Sequence, residues 1–299
     1  MNNLDIVYKI IKGPSFEESG IHTIGIAGLG LIGGSFAKAF KSNCDARVLV
    51  FDLDSSVTDE VINDGFADGI LTDDMIPECD LIIPALYNQA VIDYVGHIAP
   101  LVKKSAIVID TGGLKRSICE ECYKIADEYG FTFVGGHPMA GKKYSGYKYS
   151  SANLFKDASM IVCPKDKDDY SLLIHLKDVF SPCGFGRLTI CSAEVHDSMI
   201  AFTSDLAHIV SNAYVKSPTA SKHRGFSAGS YKDLTRVAWL NEDMWTEIFM
   251  ENKDNIIQEL DYIIANLEEY KNAMEQDDPE TLRTLLRDGK LAKERIDGK

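Results

Sequence analysis

An apolar strand, Thr23-Ile24-Gly25-Ile26-Ala27, runs directly into Gly28-Leu29-Gly30-Leu31-Ile32-Gly33-Gly34, and a helical stretch from Ser35 to Lys41 follows. This order of strand, GxGxxG and helix constrains the chain more than any other feature. The glycines have separate roles. Gly28 permits a tight turn, Gly30 lets a pyrophosphate approach the backbone, and Gly33 lets the helix pack closely on the strand. The unpaired amides at the helix start would hold the phosphates. A glycine-rich βα turn without a ligand is the alternative. A second strand, Arg47 to Phe51, ends at Asp52, close to the expected spacing of about 20 residues. A carboxylate there accepts hydrogen bonds from a ribose 2′-hydroxyl and repels a 2′-phosphate, and Leu53 to Ser56 supply no cation to hold that phosphate. The expected cofactor is therefore NAD rather than NADP. Asp52 is also a candidate helix cap, a role that Asp54 or Ser55 can equally fill.

The alternation continues with strands at Asp80 to Pro84 and Ser105 to Asp110 and helices at Ala90 to Ile98 and Lys115 to Tyr129. A strand at Phe131 to Val134 leads into a glycine- and proline-rich turn, Gly135-Gly136-His137-Pro138-Met139-Ala140-Gly141. Strands at Ser159 to Cys163 and Arg187 to Ile190 flank a helix at Asp168 to Phe180. This is the pattern of an α/β, Rossmann-type doubly wound parallel sheet. From Ser192 onward strands vanish and long amphipathic stretches take over, such as Met244 to Leu267 with Ile248, Ile256, Ile257, Leu260 and Ile264, which reads as an all-helical second domain. With 299 residues, two domains are the expectation. The boundaries fall at an N-terminal extension, 1–20, without assigned function, a nucleotide-binding domain, 21–190, and a helical domain, 191–299.

Composition excludes several classes. A net charge of −14 disfavours nucleic acid and anionic membranes as partners, and makes any cluster of cations informative about an anionic ligand. No apolar run reaches the ~20 residues of a membrane span, and no signal peptide precedes the first strand, so the expected compartment is the cytoplasm. The seven cysteines, an odd number, fit reduced thiols. Cys119 and Cys122 form a CxxC on a predicted helix with no second pair nearby, so no metal site is expected.

Three segments carry candidate chemistry. His137 sits at the C-terminal edge of the sheet, where ligands bind in this class of fold, and imidazole exchanges protons near neutral pH; a structural histidine is the alternative. On a predicted helix from Ala193 to Val215, Asp197, Ala201, Ser204 and His208 share a narrow sector at 100° per residue, either as a solvated face or as the lining of a cleft. In Lys232-Asp233-Leu234-Thr235-Arg236-Val237-Ala238, the planar Arg236 fork suits a carboxylate, with Lys232 one turn away. An internal salt bridge to Asp233 or Glu242 is the alternative.

The loop GLGLIGGS at Gly28 to Ser35, GGHPMAG at Gly135 to Gly141 with Ser145-Gly146, the His196-Asp197 pair, Ser204 to His208 and Asp233 to Ala238 together resemble the prephenate dehydrogenase family, over nearly all the chain after residue 20. The resemblance implies NAD-dependent oxidative decarboxylation of prephenate to 4-hydroxyphenylpyruvate in tyrosine biosynthesis. The sister activity on arogenate and a non-catalytic NAD-binding regulatory protein are the other readings. It implies His137 and His208 as catalytic residues, with His137 withdrawing the ring-hydroxyl proton and His208 orienting the substrate. Arg236, Ser204, Lys232 and Gly113 are the implied substrate contacts. Gly28, Gly30, Leu31, Ile32, Gly33, Asp52, Pro84 and Thr111 are the implied cofactor contacts, and the helical domain implies a homodimer. The chain departs from the family pattern in four places. Gly113 stands where a serine is common, with Thr111 as the nearest replacement hydroxyl. Asp205 replaces a histidine, which would suit the ammonium of arogenate. Lys142-Lys143 replace Thr-Glu, and Lys232 replaces an arginine.

Overall fold

The computed structural model describes residues 7–9, 16–142 and 144–298. The chain divides into two compact units, Met1–Asp197 and Ser198–Lys299.

The first unit is built on a nine-stranded sheet: β1 (Val7–Lys9), β2 (Thr23–Ala27), β3 (Arg47–Phe51), β4 (Gly69–Ile70), β5 (Leu81–Pro84), β6 (Ile107–Ile109), β7 (Thr132–Pro138), β8 (Ser159–Pro164) and β9 (Arg187–Ile190). Their spatial order is β1-β9-β8-β7-β6-β5-β2-β3-β4. The run from β7 to β4 is parallel throughout. Chain direction reverses between β7 and β8, and again between β9 and β1. Part of the expected extension thus joins the sheet: Val7–Lys9 pair with β9, while residues 1–6 and 10–15 lie outside the described residues.

The apolar strands serve both faces, as a doubly wound sheet requires. Ile24, Ile26, Leu81 and Ile83 enter the core on one side, with Phe36 and Phe40 of α1 (Leu31–Asn43) and Leu173 and Leu176 of α5 (Tyr170–Val179). Leu49, Ile82 and Val108 point to the other side, against Val91 and Val95 of α3 (Asn88–Ile98) and Ile118 and Cys122 of α4 (Arg116–Tyr129). The short α2 (Ser55–Asn63) follows β3 and is capped by Asp54, whose carboxylate accepts from the Ser56 amide. The cap therefore falls on Asp54 and leaves Asp52 free for a different role.

Other local expectations change as well. β7 does not stop at Val134 but continues through His137 and Pro138, paired antiparallel with β8 from Val134↔Pro164 to Pro138↔Met160. Gly135 and Gly136, which read as a turn, serve close packing instead. A Cβ on Gly136 would lie 2.3 Å from the Asp110 carbonyl oxygen, and one on Gly135 would lie 2.5 Å from Cys119 Sγ. The helix expected from Ala193 to Val215 is also not uniform. It consists of α6 (Ala193–Ile200), a π segment at Ala201–Asp205 and α7 (Leu206–Val215). A π turn changes the angle per residue, so the sector computed at 100° does not carry across it.

The second unit is helical, as expected. Beyond α7 come α8 (Gly229–Thr235), α9 (Glu242–Glu251), α10 (Lys253–Glu275) and α11 (Pro279–Ile296). The single stretch expected from Met244 to Leu267 is broken at Asn252. That residue is fully buried, and its side-chain amide donates to Asp205 Oδ2 at 3.0 Å. Asp205 is fully buried as well. The carboxylate thus ties the π segment to the α9–α10 junction, and the proposed role of facing an ammonium loses its footing.

Candidate active site

The ends of the parallel strands gather the sequence-designated residues of the first unit. β2 is flanked by β3 on one side and β5 on the other, so the chain reverses its winding at this strand. In such sheets the crevice at the strands' carboxyl ends is the ligand site. The glycine loop, between β2 and α1, lies at that end. Gly28 has φ +88°, and a Cβ there would meet the Ala85 carbonyl oxygen at 2.4 Å. A Cβ on Gly33 would fall 1.8 Å from the Gly28 carbonyl oxygen. Among the described residues, none beyond its chain neighbours comes within 4 Å of a would-be Cβ on Gly30, the N-cap of α1. Two glycines are therefore demanded by packing, while the third faces open space, as the approach of a ligand to the backbone requires. Leu31 and Ile32 form the half-buried first turn of α1, Pro84 ends β5 and Thr111 follows β6.

Asp52 lies at the end of β3. Its Oδ2 accepts from the Leu29 amide at 2.6 Å and its Oδ1 from the Asp54 amide at 3.0 Å. The carboxylate thereby braces the glycine loop from the strand next to it while staying partly exposed. Each oxygen keeps a further lone pair for a ligand hydroxyl.

His137 is partly exposed, and behind it stands a chain of buried polar groups. His137 Nδ1 lies 2.8 Å from His196 Nε2, and His196 Nδ1 lies 2.7 Å from Asp197 Oδ1. Asp197 also accepts from the backbone amides of Lys115 at 2.7 Å and Arg116 at 3.0 Å, and from Arg116 Nε at 3.3 Å. These contacts join α6 to the start of α4. Beneath them Asp110 and Lys115 form a fully buried ion pair. Asp110 also accepts from the amides of Gly112 at 2.7 Å and Gly136 at 2.9 Å, so one carboxylate ties the loop after β6 to the strand carrying His137.

These surroundings set the protonation states. Burial, then His196 and Lys115, hold the His137 imidazole well below its ordinary pKa. Burial and Lys115 also lower His196, against the opposing pull of Asp197. Burial would raise Asp197, but the hydrogen bonds from His196 and from the Arg116 and Lys115 amides outweigh it, and the carboxyl lies below its usual range.

The helical unit holds the remaining designated residues. His208 Nδ1 is 2.8 Å from the Ser204 carbonyl oxygen, and its ring stacks on Trp245 with centroids 3.9 Å apart. Ser204 thus orients His208 through its backbone. Burial and then Arg236 lower the His208 pKa, against the bond to Ser204. A cleft of about 320 Å³ is lined by His208, Asn212, Lys216, Trp245 and Phe249 among others. Lys232 and Arg236 are exposed, and among the described residues Arg236 forms no ion pair with Asp233 or Glu242, so the internal salt bridge is not made. A larger cleft of about 450 Å³ at Tyr214, His223, Phe226 and Tyr231 includes none of the designated residues.

Gly113 is half-buried in the loop after β6, where the neighbouring Thr111 supplies a hydroxyl-bearing side chain. Lys142 spends its ammonium on the Tyr149 carbonyl at 2.7 Å, and Lys143 lies outside the described residues. Cys119 and Cys122 are buried thiols, and among the described residues no three His, Cys, Asp or Glu side chains converge as metal ligands. Also among the described residues, no helix is long and apolar enough to cross a membrane.

Sequence reasoning missed the Asp110–Lys115 pair, the Trp245 ring and the working part of His196-Asp197. Only the last left a readable trace: two adjacent ionisable residues, His196 and Asp197, in the helix that follows the last strand.

Comparison with known proteins accounts for the arrangement. Residues 36–188 match the prephenate dehydrogenase nucleotide-binding domain, and residues 192–288 match the prephenate dehydrogenase dimerization domain. The chain belongs to the prephenate dehydrogenase family. Relatives in this family include the cyclohexadienyl dehydrogenase of Zymomonas mobilis, 31% identical over 280 residues, covering 90% of this chain and 94% of that protein. The prephenate dehydrogenase of Bacillus subtilis is 29% identical over 289 residues, covering 92% and 76%. Among solved structures, the Aquifex aeolicus prephenate dehydrogenase in complex with hydroxyphenyl propionate and NAD+ superposes with a TM-score of 0.80 at 26% identity, covering 92% of this chain and 98% of that one. The Synechocystis arogenate dehydrogenase shares the fold, with a TM-score of 0.78 at 22% identity over 92% and 99%. The prephenate dehydrogenase fold and the dehydrogenase class of its curated members place this chain among the oxidoreductases.

Proposed function

We propose that this protein oxidatively decarboxylates prephenate to 4-hydroxyphenylpyruvate, with NAD as cofactor, in the cytoplasmic synthesis of tyrosine. The observation that carries the reading is the partly exposed His137, poised at the sheet's carboxyl edge with its Nδ1 held by His196. NAD, when bound, supplies the hydride acceptor. Gly28, Gly30 and Gly33, with Leu31 and Ile32 in the first turn of α1, would hold its pyrophosphate, Asp52 its ribose, and Pro84 and Thr111 would border its nicotinamide half. The open backbone at Gly30 fits that group.

His137, kept neutral by its surroundings, accepts the proton of the ring hydroxyl, and the oxygen's growing negative charge favours departure of hydride from the same carbon. Loss of the ring carboxylate as carbon dioxide then restores aromaticity. Arg236, exposed and without an ion-pair partner among the described residues, binds a substrate carboxylate bidentately, with Lys232 adding charge against the unfavourable net charge of −14. His208 orients the substrate with its ring fixed by Ser204 and Trp245. The helical unit supports a homodimer: Ile257, Ile264 and Leu267 on α10 and Leu286 and Ile296 on α11 are at least half exposed in the single chain.

Following NADH absorbance with prephenate and arogenate side by side tests the reading. A higher kcat/KM on prephenate is expected. Preference for arogenate would reassign the substrate, and turnover of neither would make the protein a non-catalytic NAD binder. Reduction of NADP as efficiently as NAD would remove the role given to Asp52.

A further inference from the structure

His137 cannot be understood alone, because its hydrogen-bonding atom faces another imidazole. Two neutral histidines can bond only if one donates and the other accepts, and the group behind them decides which. Asp197 accepts bonds from the Lys115 and Arg116 amides and lies below the usual carboxylate pKa range, so it is an ionised acceptor. Facing it, His196 Nδ1 must carry hydrogen. A neutral His196 then has a bare Nε2, which can only accept. His137 therefore donates through Nδ1, and its Nε2 is left with a lone pair. The carboxylate has thus set the tautomer of a histidine two residues away in the hydrogen-bond chain.

We propose that His196 and Asp197 are positioning residues for the proton transfer: Asp197 locks His137 in its basic tautomer through His196, and His196 takes up the proton as the reaction proceeds. The inference rests on the prephenate-oxidation reading above. In the step, the hydroxyl proton moves to His137 Nε2 while the His137 Nδ1 proton moves to His196 Nε2. The O–H electron pair becomes the new C=O bond, and the hydride leaves with its own pair for the nicotinamide. One proton has passed from substrate to His196, which is now an imidazolium bonded to the Asp197 carboxylate. On product release the proton returns by the same path, because His196 itself is buried.

The charged groups around the pair favour that direction. Lys115 and Arg116 stand at the start of α4, Asp110 at the end of β6, and Asp197 on His196's own helix. Lys115 opposes positive charge on either imidazole, but only His196 has a carboxylate in direct contact. Charge that would be unfavourable on His137 is better placed one ring further back.

Two variants and two readouts test this. In Asp197→Asn the new amide can donate to His196 Nδ1, which inverts both rings and leaves hydrogen on His137 Nε2. In His196→Gln the amide oxygen can still accept from His137 Nδ1, so the tautomer is kept while proton uptake is lost. Long-range 15N–1H spectra of the histidine-labelled protein, without substrate, should show His137 as the Nδ1–H tautomer in wild type and His196→Gln, and as Nε2–H in Asp197→Asn. For Asp197→Asn, kcat should fall about 10²- to 10⁴-fold, with KM and NAD affinity kept. Its activity should climb continuously with pH, because hydroxide must first remove the misplaced proton. His196→Gln should lose less. A wild-type His137 in the Nε2–H form would overturn the proposal, as would folded variants with unchanged kcat or a loss confined to KM. The spectra need no substrate, so the tautomer assignment fails or stands separately from the substrate reading.

Discussion

The two units each present a histidine beside cationic chemistry, but they hold it in different ways. In the first, His137 ends a relay of buried groups, and an ion pair beneath it joins the end of β6 to the start of α4. In the second, His208 is held by its own helix carbonyl and a stacked tryptophan, and the arginine and lysine nearby are exposed. A buried, fully partnered network keeps a proton acceptor in one geometry and one tautomer. Exposed cations keep their freedom and are suited to capturing an anion. The difference teaches that substitutions in the first unit should act on turnover and those in the second on substrate affinity.

The largest expected effect is in the first unit. His137→Asn should lower kcat by about 10²- to 10⁴-fold with NAD binding retained; if the loss appeared in KM, the contrast between the units would fail. Arg236→Ala should raise the prephenate KM by roughly 10- to 100-fold, the worth of a charge-assisted bidentate contact, while kcat stays near wild type. An unaltered KM would remove Arg236 from the substrate site. Gly30→Ala sharpens the contrast inside the first unit. Among the described residues none beyond the chain neighbours lies near the added methyl, so the melting temperature should hold while the NAD dissociation constant rises by about tenfold, whereas Gly33→Ala must disturb the loop itself. Lys232→Ala should produce the smallest change, a few-fold in KM that shrinks as salt is added.

The pH profile gives a further test. Burial, His196 and Lys115 depress the pKa of His137, so the base remains unprotonated until the pH falls through that lowered value. The acid limb of kcat/KM should therefore lie below the ordinary histidine value of about 6.5. Titration on prephenate showing a limb at or above that value would mean that His137 is not the base.

Much of this was readable in the chain. β2, β3, β5 to β9, the glycine loop and Asp52 follow from local patterns whose periodicity survives folding, while the short β4 and the edge strand β1 escaped the sequence reading. The change to helices after residue 192 was equally plain. The errors came where contact overrides local preference. Gly135 and Gly136 looked like a turn because glycine marks turns, yet here it admits the Asp110 carbonyl and Cys119. Asp205 looked like a substrate-facing charge because it stands where the family pattern has a histidine, yet it is buried inside the helical unit with Asn252 donating to its Oδ2.

The sequence by itself determined the doubly wound sheet, the glycine-rich loop after β2, the helical second half and the position of the candidate base, since each rests on spacing along the chain. Tertiary structure alone decided what stands behind that base. Lys115, His137 and Asp197 are far apart in sequence, and only the packing of α6 against the start of α4 beside β7 brings them within hydrogen-bond reach. Burial then turns ordinary ionisable side chains into a directed network. The π segment and the Asp205–Asn252 tie have the same origin: they depend on which surfaces meet, and no local periodicity encodes that.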